Sequence, residues 1–280
     1  MIKIVGLVLP WETYALPKVI SSFISCKTYL SEDQCKDIKF SLTYSNVPEQ
    51  INWDESLAPP LYTETIFNQC CDLLSKYYNV SYEVNNDIKG CVGHRRIEFN
   101  KNDYDYCVTF DFDMNFPSSL LKAYSIATKK LNKDDLLVIT PQIPLMWDDS
   151  WDDVSLFDAD FRHEYYKKTE RFNINLIQPR KAMEIKELQT WKWFGGMFPC
   201  YSKAYLKEYP LHKDLGDGYG PDDYYLMLKG SEYKKVKQYL IENLVVENSK
   251  HYWGHFTNKK NYKFNYYAKK ISDEQLFKLI

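Results

Sequence analysis

The stretch Tyr104-Asp-Tyr-Cys-Val-Thr-Phe-Asp-Phe-Asp-Met114 constrains this chain more than any other. Residues suited to a buried strand, Tyr106 to Phe110, run straight into Asp111-Phe112-Asp113. Side chains alternate across a strand, so Asp111 and Asp113 leave on one side and Phe112 on the other. Two carboxylates projecting together from a hydrophobic strand are costly unless positive charge lies between them. A divalent cation meets that need, because hard ions such as Mg²⁺ and Mn²⁺ prefer carboxylate oxygens and the phosphates of a bound substrate. The alternative is a strand end carrying two solvated acids. The strand context, and a second acidic pair at Asp222-Asp223, favour the cation.

Around that strand the chain alternates between two periods. Ile2–Leu9 is almost continuously apolar, as in a strand covered on both faces. A helix follows Pro17 through Val19, Ile20, Phe23 and Ile24. Strands are expected at 37–44, 80–84, 105–110 and 136–140, with helices at 63–77 and 120–130. Strands alternating with helices imply right-handed crossovers and a mainly parallel sheet. The second half is less regular: a strand is expected at 191–201, a helix from Tyr224, and a short strand at 244–247. Residues 147–160 read as loop or short helices. In sheets of this kind ligands bind at the carboxyl ends of the strands, where Pro10-Trp11-Glu12, Ser45-Asn46 and Asp111–Asp113 would converge.

A chain of 280 residues can bury a sizeable core, and its net charge of -2 advertises no overall affinity for nucleic acid. Its 24 Tyr and 7 Trp offer stacking faces for sugars or bases, although a biased composition would explain them equally. The 7 Cys include no C-x-x-C, so reduced thiols are expected rather than a disulfide framework or zinc site. The apolar run from Ile4 stops at Pro10, too short for a signal segment or membrane span. A cytoplasmic protein with no transmembrane segment is the expectation.

A first strand ending in Pro10, an apolar strand ending in Asp111-x-Asp113, Gly195-Gly196, and an acidic pair ahead of a helix together resemble the nucleotide-sugar glycosyltransferases of the GT-A fold. The resemblance implies an α/β architecture: a Rossmann-like, mainly parallel central sheet flanked by helices, forming a single domain over residues 1–256. A basic, aromatic tail at 257–280 would pack on that domain or extend it. It also implies a UDP-sugar donor and Mn²⁺ or Mg²⁺, with Asp113 ligating the metal and Asp111 touching ribose or metal. His255, or His251, would supply a further ligand. Pro10, Trp11 and Glu12 would line the nucleotide site, with Gly195 and Gly196 approaching the sugar. Arg95 or Arg96, in Gly93-His94-Arg95-Arg96, would hold phosphate or uracil-side groups; a solvated basic turn is the other reading. One of Asp222 and Asp223 would be the general base of an inverting displacement, Asp223 before Asp222, with Asp222 binding donor or acceptor. As plain sequence they also suit a helix cap. Trp191 and Trp193 could stack on a sugar or pack in the core.

The acceptor is read from Lys259 to Lys270, where lysines interleave with Tyr and Phe as on a DNA-binding surface. In its length and cytoplasmic character the chain also resembles phage enzymes that add a second glucose to glucosylated hydroxymethylcytosine in DNA, which would put it in the host cytoplasm. UDP-glucose and glucosylated DNA are thus the expected substrates, with an oligosaccharide acceptor in bacterial capsule or lipopolysaccharide synthesis as the alternative. Without the Q-x-x-R-W signature of processive synthases, polymer synthesis is disfavoured. A non-catalytic nucleic-acid or carbohydrate-binding protein is the reading from another class. A nucleotidyltransferase ranks last, since no phosphate-binding Gly-rich loop follows the first strand.

Overall fold

Strand β1 (Ile2–Val8) is buried along all seven residues, as a continuous apolar run in a covered sheet requires. The computed structural model describes residues 1–46, 60–88, 90–112, 114–142, 183–189, 191, 196–218, 222–232 and 235–248. Pro17 sits in the first turn of α1 (Leu16–Cys26), which buries Leu16, Val19, Ile20, Phe23 and Cys26 at helical spacing. A short helix that the periodicity does not reveal, α2 (Glu32–Lys36), opens with a capping box. The Ser31 hydroxyl accepts from the Gln34 amide at 3.3 Å, and the Gln34 side chain accepts from the Ser31 amide at 3.0 Å.

The remaining elements are β2 (Ile38–Tyr44), α3 (Pro60–Ser75), β3 (Asn79–Val84), α4 (Cys91–Asn100), β4 (Tyr106–Thr109), β5 (Met114–Asn115), α5 (Leu120–Lys130), β6 (Leu137–Gln142), β7 (Glu184–Glu187), β8 (Cys200–Ser202), α6 (Lys203–Glu208), α7 (Asp222–Glu232), β9 (Lys237–Val245) and β10 (Glu247–Asn248). Eight strands form one sheet in the order β3-β2-β1-β4-β8-β6-β9-β7. Parallel pairs join β1 to β2 and β4, β2 to β3, and β6 to β9. Strand β8 runs against β4 and β6, and β7 runs against β9. The mainly parallel α/β sheet read from the sequence is therefore the architecture, with β8 wedged into it in reverse.

Three local expectations need correction. The strand expected at 191–201 is seen among the described residues only as β8, and Gly196 lies in a turn. The strand expected at 244–247 straddles two elements. Strand β9 starts earlier, at Lys237, and the chain then leaves the large sheet for a two-stranded one, where Asn248 pairs with Met114 and Glu247 with Asn115. Gly93 to Arg96 form no turn but lie inside helix α4.

Helix α4 crosses β1 and carries buried polar groups. Lys3 of β1 is fully buried; its ammonium meets Glu98 of α4 at 2.8 Å and Asp103 at 2.7 Å. His94 of α4 is 1 % exposed, with Nε2 3.0 Å from the Thr43 hydroxyl and, among the described residues, no partner for Nδ1. Burial holds its pKa down to about 3. A His kept neutral in the fold but free to ionise when unfolded, near pH 6.5, removes stability as pH falls below that value. Lowering the pH from 7 to 5 should therefore cost roughly 2 kcal/mol through this one group. Urea unfolding at the two pH values measures it: His94→Gln should flatten the dependence, and an unchanged loss would place its source elsewhere.

Candidate active site

The acidic residues after β4 and at the start of α7 meet at one side chain. Arg95 of α4 donates from Nη2 to Asp111 Oδ1 at 2.9 Å and from Nη1 to Asp222 Oδ2 at 2.6 Å. The Arg95 and Asp222 side chains are 8% and 3% exposed, whereas Asp111 is 29% exposed. Burial alone would lower the guanidinium pKa, but Asp222 and Asp111 outweigh it and hold it well above its usual value. Cys91, one turn earlier on α4, shares the site. Burial raises its thiol pKa, and the charges of Asp111, Asp222 and Glu12 add to that against the opposing effect of Arg95.

Asp111 is set from two sides. Phe110 and Phe112 on either side of it are buried, and their rings lie over Gly6 of β1, where a Cβ would come within 3.0 Å of both. Phe110 stacks on Phe198, the centroids 5.1 Å apart and the planes 5° from parallel. Phe198 adopts φ +57, an uncommon left-handed conformation for a bulky residue, in the turn that begins at Gly196. Gly196 lies against the carboxylate itself: a Cβ there would come 2.2 Å from Asp111 Oδ2. Gly196 thus approaches the first Asp of the motif because it has no side chain.

Helix α4 also grips the loop that leads to the acidic pair. Its first amides find no local side-chain cap; Val92 donates to Gly218 O at 3.1 Å and Gly93 to Asp217 O at 3.2 Å. Arg96 donates from Nε to Leu211 O at 3.0 Å and from Nη2 to His212 O at 2.8 Å, and pairs with the Asp217 carboxylate. Arg95 and Arg96 are neighbours in sequence with different surroundings: one lies between the two acidic motifs, the other holds the loop.

Pro10, Trp11 and Glu12 form a 3-10 turn directly after β1, with Glu12 accepting from the Leu9 amide at 2.9 Å. Asp223, in the first turn of α7, is half-buried. Trp191 lies on Gly230 of α7, where a Cβ would come 2.1 Å from its indole, and packs, partly buried, against the core. Asp113, Trp193, Gly195, Tyr219 to Pro221, His251, His255 and the tail from Lys259 to Lys270 lie outside the described residues. The role of Arg95 as a bridge between carboxylates was missed in the sequence; the signal available was an arginine pair with two acidic motifs to answer it.

A divalent cation suits these residues in kind. Asp111 offers a hard, partly exposed oxygen ligand, and among the described residues the charges of Asp111, Asp222 and Asp223 all act on Arg95. Among the described residues no three His, Cys, Asp or Glu side chains gather as a metal site. Among the described residues, likewise, no helix is long and apolar enough to cross a membrane. All seven cysteines are free thiols.

The chain matches no family model and no curated protein. Solved structures share its fold. Residues 1–349 of TarS from S. aureus are similar over 99% of this chain and 68% of that one, at 9% identity and a TM-score of 0.51. The mannosyltransferase PcManGT from Pyrobaculum calidifontis, solved with GDP-Man and Mn²⁺, is similar over 90% of this chain and 59% of its own, at 10% identity and a TM-score of 0.52. At such identities the likeness is one of fold, and that fold is the GT-A architecture of a central sheet flanked by helices.

Gly196 and Gly218 provide a direct check on the site's geometry. Gly196→Ala must displace Asp111 and should cost about 1–3 kcal/mol by overcrowding. Gly218→Ala meets nothing within 4 Å among the described residues and should stay within about 0.5 kcal/mol of the parent. Equal effects in chemical unfolding would refute the close approach to Asp111.

Proposed function

We propose that this chain is a metal-dependent glycosyltransferase that moves a sugar from a nucleoside diphosphate, UDP-glucose before other donors, to an acceptor hydroxyl with inversion. The observation that carries this reading is the meeting of Asp111 with the Asp222-Asp223 end of α7 across Arg95. On this reading an acidic, cation-suited strand end lies beside a candidate base, on the side of the sheet where α/β folds bind ligands. The complex of the mannosyltransferase of the same fold with GDP-Man and Mn²⁺ supports a nucleotide-sugar donor with metal.

Each residue has a part in the reaction. Asp113 and Asp111 would hold Mn²⁺ or Mg²⁺, with His255 or His251 as a further ligand. A divalent ion there supplies positive charge to the departing diphosphate. Asp223 takes the proton of the acceptor hydroxyl as its oxygen bonds to the anomeric carbon. The bond from that carbon to the diphosphate breaks and the nucleotide leaves with the electron pair. Attack from the opposite face turns an α-linked donor into a β-linked product. Asp222, buried and bound by Arg95, is a holding group, which leaves the half-buried Asp223 as the better base. Pro10, Trp11 and Glu12 line the nucleotide side at the end of β1, and Gly195-Gly196 brings backbone close to the sugar.

Release of UDP from a panel of UDP-sugars, with Mn²⁺, Mg²⁺ or EDTA, tests the reaction. Asp113→Asn should lower the rate on the order of 10²-fold or more with the fold intact. Asp223→Asn should lower kcat by a similar factor while donor affinity holds. Normal turnover of Asp113→Asn, or indifference to EDTA, would sink the metal-dependent reading.

The acceptor reading rests on the basic, aromatic segment Lys259 to Lys270 and takes glucosylated hydroxymethylcytosine in DNA as the substrate. DNA affinity should then fall steeply with salt. Neutralising Lys259 and Lys263 should reduce the logarithmic salt slope by about 1 per lysine and leave UDP-glucose affinity unchanged. Glucose transfer to a free oligosaccharide but never to glucosylated DNA would assign the chain to oligosaccharide synthesis instead.

A further inference from the structure

The guanidinium of Arg95 faces two carboxylates with its two Nη atoms, one carboxylate on each side of the site. Because the fork is rigid and planar, neither carboxylate can shift without turning the guanidinium against the other. We infer that Arg95 is a positioning residue: it latches the donor-side carboxylate Asp111 to the first turn of α7, so that the donor half and the base-bearing half of the site are set by one side chain. This rests on the glycosyltransferase reading for its consequence, but the latch itself is a property of the fold.

Two independent features support it. Helix α4 already holds the loop before α7, through the carbonyls of Asp217 and Gly218 on its first amides and through Arg96 on the carbonyls of Leu211 and His212. Arg95 extends that grip to the residue next to Asp223. On the other side Asp111 is backed by Gly196, so the carboxylate has a wall behind it and a clamp in front. With both Nη atoms on carboxylates and only 8% of the side chain exposed, Arg95 serves the protein's own acids rather than a phosphate.

A lysine keeps the charge but presents one ammonium in place of a fork, so Arg95→Lys separates charge from latching. In the metal-free protein it should speed hydrogen exchange of the α7 amides from Tyr224 to Leu226 by about 10-fold or more relative to those of α5, as a local opening. With Mn²⁺ and UDP as probes, it should weaken nucleotide binding about 10-fold. Asp222→Asn should also weaken Mn²⁺-UDP binding in the parent, yet change it less than about twofold in the Arg95→Lys background, because coupled residues are non-additive. Unchanged exchange in α7, or effects of the two substitutions that simply multiply, would overturn the latch. If the parent binds no Mn²⁺-UDP, the glycosyltransferase reading falls while the exchange measurement still decides the latch. Should Arg95→Lys fail to fold, the Arg95→Gln/Asp222→Asn double variant removes one buried charge of each sign. It should show the same loosening of α7, and native-like exchange there would again overturn the inference.

Discussion

A buried guanidinium between two carboxylates is the interaction on which this molecule's site depends. A lone charge taken out of water costs several kcal/mol, and Arg95 is tolerable only because Asp111 and Asp222 answer it with charge-assisted hydrogen bonds. The three residues lie on different elements: α4, the loop after β4, and α7. Satisfying one buried charge therefore forces a strand end and a helix start together.

Helix α4 is the beam that makes this possible. Midway along it the helix carries Arg95, and one turn later Glu98, whose carboxylate reaches Lys3 inside β1. Burial alone would raise the Glu98 pKa, but hydrogen bonds from Lys101 and Lys3 hold it below its usual value, so it remains a charged partner. The helix is thus tied to the sheet by one ion pair and to the site by two others. Its first amides are closed by Asp217 and Gly218, so the loop before the acidic pair completes the helix as well as leading to α7. Aromatic packing does the same for Asp111: the Phe110 and Phe198 stack holds both the strand end and the turn of Gly196 in place.

Much of this frame is legible in the residues. A nearly continuous apolar run marks β1, strands are also read at β2 and before Asp111, and α5 spans Leu120–Lys130 as expected. Helix α4 is not legible, because Gly93 weakens its first turn and its cap comes from a loop distant in sequence. A pair of adjacent arginines looks like a solvated turn until the helix sends their side chains in different directions, about 100° apart at 3.6 residues per turn. Strand β8 is short and reversed, and nothing local distinguishes it from the Gly-rich segment before it.

What the residues alone decide is what short-range physics can decide. The periods of apolar side chains set the alternating strands and helices, and the chemistry of Asp111-Phe-Asp113 and Asp222-Asp223 marks where charge must be answered. What only the tertiary structure decides is which charge answers which. Arg95 and Arg96 are equivalent by type and by position in the sequence, yet one is buried between the two acidic motifs and the other ties down a loop. That assignment follows from where β4, α4 and α7 lie once the sheet has formed, because an ion pair depends on distances of a few ångström between elements far apart along the chain.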